Sequence, residues 1–152
     1  MLEPLSDGGV RLQLSRDERA LLVGLTGELR ALLEVTPEDP SLRRLFPPAY
    51  DDDADERAYQ ELTGDSLLDS RREALELLEQ TADSERLTAD EADAWLRALN
   101  DLRLVLGTRL DVQEDTFASE PNLNDPRGQA LAVYGYLSWL QEQLVEALSH
   151  SD

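Results

Sequence analysis

Three long stretches of this chain repeat leucine at intervals of three and four residues, and each opens on a residue suited to cap a helix. Apolar residues at that spacing line one side of an α-helix, so this pairing constrains the fold most. In the first stretch Ser15 is followed three residues on by Glu18, a capping box. Leu21, Leu22, Leu25, Leu29, Leu32 and Leu33 then follow in step, and Pro37 and Pro40 end the run. The second opens on Thr88 with Glu91, a second capping box, and carries Trp95, Leu99, Leu102, Val105, Leu106 and Leu110 along one arc. The third opens on Asp125 with Pro126 at its first position, a cap followed by a preset φ. Ala130, Leu131, Tyr134, Leu137, Leu140, Leu144 and Leu148 line it.

Shorter signals fill the spaces between. The acids from Asp51 to Glu56 suit the start of a short helix through Tyr59 and Leu62, where the helix dipole favours negative charge. After a break at Gly64, Leu67, Leu68, Arg71, Leu75 and Leu78 mark another helix. Leu42, Leu45, Phe46 and Tyr50 read as a loop pinned by aromatics, held extended by Pro47 and Pro48. Val10, Leu12 and Leu14 alternate with Arg11 and Gln13 after Gly8 and Gly9, a short strand or arm within residues 8–14. A lone strand is not stable, so it must pair with another short segment, pair with a second chain, or lie as an extended arm. Residues 111–125 form an acidic connector. The expectation is all-α: a single domain over 1–152, a helical bundle of about five helices with a short N-terminal strand.

Charge limits the partners. There are 33 acidic and 14 basic residues, for a net charge of −19. Every basic residue is arginine, a forked donor suited to bidentate carboxylate pairing. A surface this negative repels phosphate, so unaided nucleic-acid binding is not expected. A basic protein partner is, although the charge also serves plain solubility. There is no cysteine, which removes disulfides, thiolate catalysis and cysteine metal sites. The one histidine, His150, lies near the end of the sequence. No signal peptide and no membrane span is seen, so the expected location is cytoplasmic.

The second stretch poses a specific problem. At 100° per residue from Trp95, Arg103 falls at the edge of the apolar arc and Arg109 inside it, while Asn100 and Asp101 fall outside. A buried arginine is costly unless paired. Arg109 is therefore expected to meet a carboxylate, several carbonyls or a second chain. One reading is a structural salt bridge; a second is a partner or ligand site built from Asn100, Arg103 and Arg109; a third is a frayed helix end near Gly107 that re-aims Arg109. On the last helix Tyr136 and Trp139 leave the core stripe, which suits either core or dimer packing, or a partner groove. Asp51, Asp53 and Asp55 fit the first positions of a calcium loop, but Glu56 stands where glycine is needed and Leu62 where glutamate is. No phosphate loop or nucleophile elbow is present. No catalytic residue, metal or cofactor is expected.

The segments "LSRDERALLVGL", "LFPPAYDDDADERAYQELT", "SRREALELL" and "WLRALNDLRLVLGTRL" resemble an actinobacterial family of unknown function that includes AosR-type oxidative-stress regulators of transcription. The resemblance runs over nearly the whole chain. It implies an all-helical cytosolic protein working with a sigma factor, from a family whose genes tend to lie beside the adaptor of the Clp protease. Redox sensing of the AosR type would rest on cysteines, which this chain lacks. Together, residues and resemblance lead to a non-enzymatic stress- or transcription-linked adaptor. Its expected partner is basic, such as a sigma factor or polymerase subunit, and a homodimer is compatible with the reading. The alternatives are an accessory factor in Clp-dependent proteolysis and a small-ligand-binding helical protein.

Overall fold

The computed structural model describes residues 2–35, 39–42, 45, 69–111 and 122–149. Strands β1 (Leu2–Pro4) and β2 (Val10–Leu12) form an antiparallel hairpin, with Leu2 opposite Leu12. In its turn Gly8 holds φ at +88°, which side chains with a Cβ rarely adopt. The Gly9 N–H donates to Asp7 Oδ1 at 2.9 Å. Strand β3 (Arg86–Leu87) pairs with the other side of β2, placing Val10 opposite Leu87. It comes so near that a Cβ on Gly9 would lie 2.4 Å from the Leu87 carbonyl oxygen.

The segment at 8–14 is thus not a lone strand or arm. It is the centre of a three-stranded antiparallel sheet, order β1-β2-β3, with both partners in the same chain. Those partners are three and two residues long, too short to show alternation in sequence.

Four α-helices follow among the described residues, rather than about five. They are α1 (Arg16–Val35), α2 (residues 69–81), α3 (Ala89–Leu110) and α4 (Pro126–Ser149), with a 3₁₀ turn at Pro40–Leu42 after α1. The helix expected through Tyr59 and Leu62 lies outside the described residues, as do Phe46 to Tyr50, Leu67, Leu68 and residues 112–121 of the acidic connector.

The helix starts are built as their sequences suggest. Thr88 Oγ1 accepts from the Glu91 N–H at 3.1 Å, and Glu91 Oε1 accepts from the Thr88 N–H at 2.8 Å. Ser15 and Glu18 make the same reciprocal pair at 3.1 and 3.2 Å. Asp125 Oδ1 accepts from the Arg127 N–H at 3.1 Å. The end of α3 is closed by Asp111 at φ 51°, with its N–H turned back to the last turn.

Helices α3 and α4 share the broadest contact, and the sheet lies against α4. The core draws Leu22 and Leu33 from α1, Leu75 and Leu78 from α2, Trp95 and Leu99 from α3, and Leu140 and Leu144 from α4. Each such side chain gains about 1.5–3 kcal/mol on leaving water. Trp95, fully buried, keeps its indole N–H satisfied by Thr81 Oγ1 at 2.7 Å. Arg19 joins sheet to helices. Its guanidinium donates to the carbonyls of Leu14 (3.1 Å), Ala82 (2.6 Å) and Ser84 (2.7 Å). Arg30 does the same between α1 and α2 through a bidentate pair with Glu79 at 2.9 and 2.8 Å.

Candidate functional site

The buried charge of α3 is Asp101, not Arg109. Asp101 is 3% exposed and Arg109 is exposed. The physical reason lies in what surrounds the helix. The 3₁₀ turn packs on α3, and Arg71 reaches it from α2, extending the buried arc past Ala94 and Ala98 to Asp101. Arg109 lies inside the arc by angle, but in the last turn, where it is in no ion pair among the described residues. The alignment of Ala94, Ala98 and Asp101 at helical spacing was the signal for this side. Small residues there let a neighbour approach closely.

Arg71 meets Asp101 Oδ1 at 2.5 Å and the Leu45 carbonyl at 2.8 Å. It therefore joins α2, α3 and the segment after the 3₁₀ turn. Burial pushes the Asp101 carboxyl above its ordinary value, with the Arg71 charge working the other way. The arginine that the apolar arc demanded a partner for is replaced by an aspartate with an arginine partner from another helix.

The five candidate residues do not come together in one pocket. Asn100 is exposed on α3. Arg103 bridges to α4: its Nε donates to Ser138 Oγ at 3.0 Å, a second nitrogen donates to Gln141 Oε1, and its guanidinium carbon lies 5.6 Å from the centre of the Tyr134 ring. An open depression of about 340 Å³ is lined by Arg103, Ser138, Gln141, Glu142, Val145 and Glu146. Arg109 instead borders a cleft of about 60 Å³ between α1, α3 and α4, whose walls include Leu29, Leu32, Val105 and Leu137, with Glu28 also at its lining. That is room for a few waters, well below the usual size of a ligand pocket.

Tyr136 is half-buried, and its hydroxyl donates to Glu18 Oε2 at 2.8 Å. The capping-box carboxylate thus serves twice, holding the start of α1 and an α4 tyrosine. Burial, and then the adjacent carboxylate, push the Tyr136 hydroxyl well above its ordinary value. Burial of Glu18 works to raise its carboxyl, but the hydrogen bonds from Tyr136 and Ser15 prevail and hold it below 4.5. Trp139 stands beside Tyr136, ring centres 6.0 Å apart, and is 42% exposed. No cluster of three histidine, cysteine or acidic side chains able to hold a metal occurs among the described residues. None of the described helices is long and apolar enough to cross a membrane.

Comparison with known proteins gives this arrangement a context. The profile of a family described as "Domain of unknown function (DUF2017)" matches residues 3–148. The chain is 36% identical over 130 residues to the "Putative oxidative stress regulator AosR" of Mycobacterium leprae, covering 74% of this chain and 59% of that protein. It is 32% identical over 181 aligned positions to the "Oxidative stress regulator AosR" of Mycobacterium bovis, covering 93% of this chain and 83% of the relative. The Mycobacterium tuberculosis protein of that name matches equally. This last alignment is longer than the chain itself, so these relatives carry inserted residues that it lacks. No solved structure matches. With the family profile spanning almost its full length, the chain belongs to the DUF2017 family of domains of unknown function.

Proposed function

We propose that the protein is a stress-linked regulator that works by contact with a basic protein rather than by catalysis. The observation that carries this reading is its similarity to proteins named as oxidative stress regulators. Its net charge of −19 supports the choice of partner: it attracts basic surfaces and repels nucleic acid. A sigma factor or a polymerase subunit is the partner class this reading favours, with any DNA association passing through that protein. These 152 residues hold no cysteine, so a thiol switch has no group to act on within them. A stress signal would instead reach the protein through its partner or its abundance.

The test is co-purification of the tagged protein from its own host, with and without peroxide, at low and high salt. A sigma factor or polymerase subunit retained at about 50 mM salt and lost at several hundred millimolar is the expected result, because screening shortens the reach of surface charge. Binding indifferent to salt, or a preparation without a stoichiometric partner, would count against it. Clp components in its place would move the protein to regulated proteolysis.

A further inference from the structure

The outward face of α4 combines features that the fold itself does not use. Val145 and Trp139 are among the exposed large apolar side chains, at 48% and 42%. Glu142 and Glu146 are exposed on the same helix. At 100° per residue, Ser138, Trp139, Glu142, Val145 and Glu146 fall within about a third of the helix circumference. They lie opposite the buried Leu140, Leu144 and Ala147. The 340 Å³ depression opens along this face.

Charge on this face is unevenly committed. The Arg103 guanidinium is turned to Ser138 and Gln141 and packs over the Tyr134 ring. Glu142 and Glu146 are in no ion pair among the described residues. An exposed tryptophan face attracts a cation, arginine most often, because the ring carries negative charge on its face. Arginine also suits two carboxylates, as its planar fork donates in fixed directions. Exposed tryptophans and aliphatic side chains in one patch are typical anchors of an interface.

We propose that this face of α4 docks a basic amphipathic protein segment. A partner arginine lies on Trp139 and pairs with Glu142 and Glu146, and an apolar side chain sits against Val145 in the depression. The proposal rests on the basic-partner reading and gives it a place and a chemistry.

The test uses the full chain and a tryptophan-free amphipathic peptide of arginine, leucine and alanine, beside a scrambled peptide of equal composition and an acidic counterpart. Anisotropy reads affinity, and acrylamide quenching reads the cover of Trp139, since Trp95 is sealed in the core. The amphipathic peptide should bind, shield Trp139 and weaken as salt rises. Glu142→Gln with Glu146→Gln should cut its affinity about tenfold, as should Trp139→Ala, each a loss of the size expected for an anchor. Asp83→Asn with Asp90→Asn, also exposed and acidic, should leave it unchanged. Equal loss in that control, unchanged quenching, equal binding of the scrambled peptide, or preference for the acidic one would overturn the α4 site. A salt-sensitive basic peptide bound equally by the α4 variants would overturn this face while leaving the basic-partner reading standing. Binding of no basic peptide would overturn the site, and the host capture experiment then decides the wider reading separately.

Discussion

On α3, Asp101 and Arg109 stand in opposite surroundings, each the reverse of the side that a helical wheel gives it. Asp101 leaves water and is held by Arg71, while Arg109 stays exposed. Asp101→Ala removes the buried carboxylate that meets Arg71 and should destabilise by about 3 kcal/mol, at the low end for breaking a buried pair because Arg71 retains some solvent. Arg109→Ala should change stability by no more than about 0.5 kcal/mol, as surface substitutions do. Urea melts of the two variants check the contrast; equal losses would remove it. Tyr136 and Glu18 provide a second check. Tyr136→Phe deletes the hydroxyl that helps hold the Glu18 carboxyl down, so its titration by NMR should move up toward 4.5. In the wild type a depressed carboxyl contributes stability present above 4.5 and lost as pH falls through its folded value. That acid-side loss should be shallower in the variant.

At the scale of elements, the helices begin where local chemistry places them. Both capping boxes and the Asp125 cap are local signals, needing only residues within three positions, and the structure forms all three. Thr88→Ala should therefore cost about 1 kcal/mol. A thermal melt checks it, with Thr88→Ser restoring most of the loss because the hydroxyl is kept. The strands are a different case. β1 and β3 exist because β2 lies between them and because Arg19 collects the carbonyls of Leu14, Ala82 and Ser84. The local traces of that pairing are few: the Asp7–Gly9 turn, with Gly8 at φ +88°, joins β1 to β2, and the Leu87 backbone leaves no room for a Cβ on Gly9.

For the whole molecule, a net charge of −19 on 152 residues makes the folded state repel itself. Added salt screens exposed charges more than about 10 Å apart at 0.1 M. The melting temperature should rise by a few degrees, roughly 4, between low salt and several hundred millimolar sodium chloride, the shift that about 1 kcal/mol brings in a chain of this size. Calorimetry across that range checks it, and a melting point that falls would show that the ion pairs outweigh the repulsion. The candidate site was legible only as separate residues. Trp139 stood out because it left the core stripe, and Arg103 because it sat at its edge. That Arg103 would be engaged by Ser138 and Gln141, thirty-five and more residues away, needed α3 and α4 to be laid side by side. Caps and apolar spacing act over a few residues, so the largely helical character, the helix starts and most of the core are legible in the chain alone. The sheet, the burial of Asp101, the exposure of Arg109 and the outward face of α4 come from packing. Each depends on which neighbouring segment arrives, and the spacing within one helix marks a side that can be covered without naming what covers it.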